Sequence, residues 1–196
     1  MKLYYAPGAC SLADHIALHE AGIAFERDAV DLKAKRTASG QDFTAINPKG
    51  YVPALVLDDG ELLTENVAIL DWIASKHGAL MPGGALGRSR LIEALAYIST
   101  ELHGGFKPFF RGSDDAAKAA ASAALTRRFE YLAERLQGDY LFGPQPSTAD
   151  FYLFVMLLWA GKFGVAAPDP LPAFRARVMV RPATQLAMQH EGLAPT

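Results

Sequence analysis

Cysteine is almost absent from the sequence, since Cys10 is the only one among 196 residues. A single cysteine cannot form an intrachain disulfide, which excludes a secreted disulfide framework and predicts a reducing, cytoplasmic location. A large excess of one sign of charge is also absent, because 19 basic and 21 acidic residues give a formal net charge of −2. The sequence therefore predicts neither a nucleic-acid partner nor a polybasic membrane surface.

Long hydrophobic runs are missing as well. The longest is FYLFVMLLWAG at 151–161, between Asp150 and Lys162. It has about half of the ~20 residues that a membrane-spanning helix needs. The apolar run at the N-terminus breaks at Pro7 and is too short for a signal peptide. We therefore expect no membrane partner, and we interpret 151–161 as a helix buried on all sides.

The sequence does have a globular composition, with 51% hydrophobic residues. Residues 1–78 predict the order β-α-β-α-β-β-α, with a hairpin turn at Asp59–Gly60. The Gly- and Pro-rich stretch 79–87 predicts a linker, and residues 88–196 predict helices alone. One of these helices begins with a capping box from Ser147 to Asp150. The predicted fold is a thioredoxin-like α/β domain at 1–78 followed by an all-helical domain at 88–196.

Cys10 follows a Pro-Gly turn at the predicted junction of the first strand and the first helix. Free N–H groups and the helix dipole at that junction favour thiolate, and the edge of the sheet predicts a partly exposed sulfur. The alternative is a buried structural cysteine. Ala13 stands three residues later, so a redox dithiol is excluded.

Two further stretches suggest ligand binding. Pro53 opens a strand, where a cis Val52–Pro53 bond would turn the Val52 backbone outward to pair with an extended ligand; an ordinary trans proline is the alternative. Glu65 and Asn66 begin a helix whose free N–H groups suit an anion, while the Glu65 carboxylate suits an ammonium. The alternative there is that Thr64 is simply the N-cap.

Together these stretches resemble the cytosolic glutathione transferases and, more narrowly, their bacterial beta class. The resemblance rests on MKLYYAPGACSLADHIAL, INPKGYVPAL, LLTENVAIL, TELHGGF and STADFYLF, in family order, with EGL near the C-terminus. It implies glutathione as cosubstrate, a small hydrophobic electrophile and a homodimer. The implied reactions are conjugation of glutathione to electrophiles and thiol–disulfide exchange through Cys10. We expect no metal, because His15 and His19 lack the glutamate of an HExxH site.

The resemblance also assigns roles to single residues. Cys10 and His103 would be catalytic, with His103 pointing at the glutathione sulfur. Lys35 would meet the glycyl carboxylate, Val52 would pair with the cysteinyl part, and Glu65 would hold the γ-glutamyl end. The full glutathione-binding set is Lys35, Tyr51, Val52, Pro53, Glu65 and Asn66. The candidate electrophile site is Tyr97, Phe106, Lys107, Phe109 and Phe110.

Four positions depart from the family pattern. Tyr51 stands where Gln is usual, Asn66 where Gly or Ser is usual, Ala96 where Asn is common, and Gly104 where Lys is common. The absent Lys and Asn favour one alternative function, a non-catalytic transferase-like protein that binds apolar ligands or a protein partner. Lys107 would replace the missing charge if the helix continued through Gly104–Gly105.

Overall fold

The first part of the chain forms one five-stranded sheet flanked by helices. The computed structural model describes residues 1–193. The strands are β1 (Lys2–Tyr5), β2 (Glu26–Asp31), β3 (Arg36–Thr37), β4 (Ala54–Val56) and β5 (Leu62–Thr64), in the sheet order β3-β2-β1-β4-β5. β1 is parallel to β2 and antiparallel to β4. This is the mixed sheet that the sequence predicts, with one addition at the edge: β3 has only two residues, too few to show a hydrophobic alternation.

Three helices belong to this sheet, namely α1 (Leu12–Glu20), α2 (Phe43–Ile46) and α3 (Asn66–Lys76). A small apolar cluster that includes Tyr4, Phe43 and Val52 packs on one side. The main core lies on the other side, where α1 and α3 pack together and meet the later helices. The first strand-to-helix turn is thus enclosed between the sheet and the helical part of the chain.

The remaining helices are α4 (Gly87–Tyr97), α5 (Lys107–Phe110), α6 (Asp115–Ala133), α7 (Thr148–Phe163), α8 (Leu171–Met179) and α9 (Pro182–His190). Helical backbone also joins α4 to α5, through a π-helical segment Ile98–His103 and a 3₁₀ turn Gly104–Phe106. A Cβ at Gly105 would lie 2.7 Å from a methyl carbon of Leu125 on α6. Gly105 therefore permits close packing on α6, and the chain stays helical through Gly104–Gly105.

Helix α7 is buried along most of its length, as the sequence predicts. Its capping box is present: the Asp150 carboxylate accepts hydrogen bonds from the Ser147 N–H at 2.7 Å and the Leu141 N–H at 2.8 Å. Burial nevertheless raises the pKa of Asp150 to about 6. Among residues 1–193, no helix has the length and hydropathy to cross a bilayer.

Candidate active site

A cavity of about 120 Å³ lies between the sheet and the helical part of the chain. It is lined by Cys10, Tyr51, Val52, Pro53, Glu65, Asn66, Val67, Ser99, His103 and Tyr152. Seven of the sequence-predicted residues therefore meet at one place, although they come from positions almost a hundred residues apart. Val67, Ser99 and Tyr152 were not named as site residues from the sequence.

Cys10 lies just before α1, but its side chain is only 8% exposed. Its Sγ is 3.6 Å from the Val52 carbonyl oxygen, which accepts the S–H. The Val52–Pro53 bond is cis, as predicted. Burial raises the pKa of the Cys10 thiol to about 12, and the nearby Asp14 carboxyl adds to the increase. The backbone N–H groups of Cys10 and Ser11 oppose this rise without cancelling it.

The prediction of a partly exposed thiolate at position 10 is therefore wrong. The helix start does act on the sulfur in the expected direction, but desolvation of the charged form is the larger effect. The thiol stays protonated at neutral pH and can donate a hydrogen bond.

Asn66 connects the start of α3 to the turn that carries Cys10. Its side-chain Nδ2 donates to the Cys10 carbonyl oxygen at 2.9 Å. Glu65, with a φ of 73°, is the N-cap residue of α3 in place of Thr64. The Asn66 side chain is thus used for holding the Cys10 turn, while its backbone belongs to the first turn of α3.

The Glu65 carboxylate already has two partners. It pairs with the Lys49 ammonium and accepts a hydrogen bond from the Tyr51 hydroxyl at 2.7 Å. Lys49, which was not predicted, is the main reason that the pKa of Glu65 is lowered. Its only sequence signal is its place in the NPKG turn before Val52. Tyr51 supplies a polar group at the position where the family usually has Gln.

Lys35 lies outside the cavity wall. Its ammonium donates to the Gly50 carbonyl oxygen at 2.7 Å, next to Tyr51 in the chain. The residue is half-buried and has a φ of 56°. Its charge is thus held beside the turn that leads into Val52.

The half-buried His103 forms a hydrogen-bonded pair with the buried Tyr152. Its Nδ1 is 2.6 Å from the Tyr152 hydroxyl, and its ring lies edge-on to Trp159 at 5.1 Å. Burial lowers the pKa of His103, and the charge of Lys107 lowers it further. Burial also raises the pKa of Tyr152. At neutral pH the site therefore presents an uncharged imidazole beside a protonated phenol.

The predicted electrophile site needs two corrections. Phe106 is fully buried, so its ring packs in the core and cannot contact a bound molecule. Tyr97 lines a different cavity of about 640 Å³, where its ring lies 4.7 Å from Tyr131. The π-helical segment after α4 turns Ser99 and His103 toward the site, whereas Tyr97 faces α6.

Three other residues of that prediction remain near the site without lining the cavity. Phe110 is 52% exposed and lies edge-on to Trp159 at 4.8 Å. Phe109 is half-buried and stacks on Phe163 at 5.1 Å. Lys107 is exposed and reaches His103 only through its charge. Phe110 thus exposes an apolar ring beside the buried Trp159, whose own ring contacts His103.

Comparison with known proteins gives concordant matches. Family models described as the N-terminal and C-terminal domains of glutathione S-transferase match residues 9–76 and 97–182. The chain is 44% identical to glutathione S-transferase GstA of Escherichia coli O157:H7, over 98% of this chain and all of that protein.

Solved structures agree with these sequence matches. A glutathione S-transferase of a sphingomonad, complexed with glutathione, has a TM-score of 0.92 and 45% identity over 99% of this chain and 100% of that one. A beta class enzyme of Sphingomonas chungbukensis has a TM-score of 0.92 and 46% identity, with the same coverage of both chains.

Proposed function

Because this chain belongs to the glutathione S-transferase family and is a glutathione transferase, we propose that its 120 Å³ cavity is where glutathione reacts. The observation that carries the proposal is that Cys10, Val52 and His103 line one cavity. Val52 offers backbone groups for an extended peptide, while Cys10 and His103 offer side chains to its sulfur.

The binding groups match the chemistry of glutathione. The backbone of Val52 pairs with the cysteinyl unit as an added strand would. The Glu65 carboxylate binds the γ-glutamyl ammonium, which either displaces the Lys49 ammonium or binds beside it. The first turn of α3 faces the γ-glutamyl carboxylate. Lys35 takes the glycyl carboxylate beside Gly50.

The reaction needs a glutathione thiolate, and the site supplies hydrogen-bond donors for one. The thiol loses its proton to solvent, and the protonated Cys10 thiol stabilises the resulting anion by donating to it. We assign the Tyr152 hydroxyl as the donor to His103 Nδ1, 2.6 Å away, which places the ring proton on Nε2, where it serves as a second donor. The thiolate sulfur then forms a bond to an electrophilic carbon, whose leaving group departs with its electron pair. The exposed ring of Phe110, which packs on the buried Trp159, provides an apolar surface for a small hydrophobic electrophile.

Thiol–disulfide exchange is the competing reaction, in which Cys10 attacks a disulfide sulfur. A thiol whose pKa is about 12 is a poor nucleophile at neutral pH, which favours conjugation. The non-catalytic alternative depends on Ala96 and Gly104, and neither residue lines the cavity. A chain that is not retained on immobilised glutathione and does not turn over 1-chloro-2,4-dinitrobenzene would nevertheless support it.

The test compares Cys10→Ala with Cys10→Ser, which keeps a donor but removes the thiol. We expect conjugation to 1-chloro-2,4-dinitrobenzene to fall in Cys10→Ala and to be largely retained in Cys10→Ser, with disulfide-reductase activity low in the unmodified protein. Unchanged conjugation in Cys10→Ala would refute the donor role. Strong reductase activity that both variants lose would instead establish exchange.

We also propose a cytoplasmic homodimer that forms through α4 and α6. Ile92 and Tyr131 expose 38% and 40% of their surface on these helices, beside the 640 Å³ cavity that Ala96 and Tyr97 line. Ile92→Glu should reduce the mass measured by light scattering to that of one chain. Val180→Glu, at a 67% exposed residue after α8, should leave the mass unchanged. A single-chain mass for the unmodified protein would refute the dimer.

A further inference from the structure

Three histidines meet where the C-terminal half of α1 packs against the end of α9. His15 and His19 lie one turn apart on α1, and His190 is the last residue of α9. One ring nitrogen from each lies within 4.8 Å of those of the other two. We propose that His15, His19 and His190 bind a divalent transition-metal cation of the zinc type, at a site separate from the glutathione cavity.

The spacing within the cluster suits such a cation. His19 Nε2 and His190 Nδ1 are 3.3 Å apart. Two Zn–N bonds of about 2.0–2.1 Å at a tetrahedral angle place their nitrogens about 3.3 Å apart. These two rings are therefore already spaced as a ligand pair, and a ring nitrogen of His15 lies within 4.8 Å of a ring nitrogen of each.

His15 is held as metal-binding histidines are commonly held. Its Nδ1 is 2.9 Å from Glu191 Oε1, and both side chains are fully buried. Its other nitrogen, Nε2, is also buried and has no hydrogen-bond partner within the described chain. A carboxylate on one ring nitrogen fixes the orientation of the ring and leaves the other nitrogen to a cation. A buried, unpartnered ring nitrogen is otherwise costly, and a cation would satisfy it.

The protonation of the cluster favours cation binding. Burial lowers the pKa values of His15 and His19 to about 4 and lowers that of His190 as well, so all three rings are neutral at neutral pH. Arg27 is the one charge that consistently opposes a cation here, because it acts on all three rings. Glu191, the residue after α9, faces the cluster, and burial raises its pKa to about 8, so it is mostly protonated at neutral pH until a cation binds. A cation bound to His15 would stabilise the ionised carboxylate.

A route from solvent is present. A surface cavity of about 330 Å³ is lined by His19, Glu20, Pro182, Ala183 and Leu186. Glu20 is ion-paired with Arg181 and is thus not a free ligand. Three histidine nitrogens leave a fourth position, which water from this cavity can fill.

A bound cation would fasten elements that are distant in the sequence. It would link α1 to α9, and Glu191 also accepts the Gly8 N–H at 2.9 Å, two residues before Cys10. A cation that binds only the folded chain stabilises it in proportion to the logarithm of its concentration. We therefore assign the site a structural role.

The test is calorimetric titration of zinc chloride into the full chain, produced without a histidine tag. We expect one zinc per chain, a rise in Tm with zinc, and, with cobalt(II), the visible absorption of a tetrahedral centre. His19→Gln and His190→Gln, at half-buried positions, should each weaken zinc binding at least tenfold. Glu191→Gln, which removes the carboxylate behind His15, should weaken it about tenfold.

His77→Gln is the matched control, because His77 lies outside the cluster at the end of α3. It should bind zinc as the unmodified protein does. The absence of zinc binding by the unmodified chain, or binding that His19→Gln and His190→Gln leave unchanged, would overturn the proposal. Glutathione conjugation is not the readout, so the proposed function and the metal site can fail independently.

Discussion

The two walls of the proposed glutathione cavity are built from different kinds of group. The sheet-side wall consists of Cys10, Tyr51, Val52, Pro53, Glu65, Asn66 and Val67, which lie in loops and at the ends of strands and helices. The helix-side wall consists of Ser99, His103 and Tyr152, which come from the π-helical segment after α4 and from α7. The first wall offers backbone groups and charges, whereas the second offers neutral side chains that are half-buried (Ser99, His103) or buried (Tyr152).

This difference separates binding from activation. In the proposed complex, the Val52 backbone binds the cysteinyl unit and the ionised Glu65 binds the γ-glutamyl end, and both residues belong to short segments on either side of the β4–β5 hairpin. Activation of a sulfur depends on proton positions, which are set by burial and by partners such as Tyr152 for His103. Cys10 belongs to the sheet-side wall by position but resembles the helix-side wall in its chemistry, since it is buried and protonated.

The largest expected effect tests that assignment of Cys10. A pKa of about 12 against an ordinary 9.0 makes the thiolate about 10³-fold rarer near pH 8. Alkylation of the folded protein by iodoacetamide should therefore be at least about 10³-fold slower than that of the urea-unfolded chain. Because the folded-state pKa is raised, the rate should keep rising with pH beyond the ordinary cysteine pKa. Fast alkylation with a midpoint below about pH 8 would show that Cys10 is a thiolate-forming cysteine after all.

The second prediction concerns the scaffold of the helix-side wall. Asp150→Ala leaves the buried N–H groups of Ser147 and Leu141 without their acceptor, at the start of the helix that carries Tyr152. We expect a loss of about 3 kcal/mol in the free energy of unfolding, or about a hundredfold in the equilibrium constant, measured in urea.

Asp114→Ala is the matched control for that experiment. Asp114 is the exposed N-cap of α6, where it accepts the Ala117 N–H at 2.7 Å. Water can replace this acceptor, so the loss should be clearly smaller. Equal losses in the two variants would contradict the importance of burial at Asp150.

The third prediction weakens the sheet-side wall alone. Glu65→Gln removes the negative charge opposite the ligand ammonium, so KM for glutathione should rise about tenfold while kcat changes little. Steady-state kinetics at varied glutathione concentration measures both. Glu61→Gln, at an exposed residue of the same hairpin, should change neither. A fall in kcat without a change in KM would place Glu65 in activation instead of binding.

The two walls also differ in how far the sequence could predict them. The sheet-side wall is encoded in short contiguous motifs, and the order of strands and helices around it follows from hydrophobic period and turn residues. Lys49 was the exception, because one lysine in a turn has no pattern of its own. The burial of Cys10 was not predictable either, since desolvation depends on helices packed from elsewhere in the chain.

The helix-side wall could be predicted only in part. His103 was found through its motif, but its partner Tyr152 lies inside the apolar run 151–161, where a tyrosine looks like one more core residue. Tyr97 and Phe106 were predicted wrongly as electrophile residues, because the direction of each ring depends on how this helical stretch packs against α6 and the core. Three histidines from two distant helices likewise leave no local motif.

The smallest expected effect is the most specific to the helix-side wall. Tyr152→Phe removes one hydroxyl, the partner of His103 Nδ1 at 2.6 Å, and keeps the ring in the core. The loss of one buried neutral hydrogen bond, about 1 kcal/mol, should lower kcat/KM about fivefold through kcat, with KM for glutathione unchanged. Tyr97→Phe is the control, since its hydroxyl contacts the Arg128 carbonyl beside the other cavity. Without the Tyr152 hydroxyl, the ring proton of His103 can move from Nε2 to Nδ1. Nε2 then no longer donates to the glutathione thiolate, so the pH profile of kcat for Tyr152→Phe should also shift to higher pH. A purely structural role for Tyr152 would lower Tm and leave that profile in place.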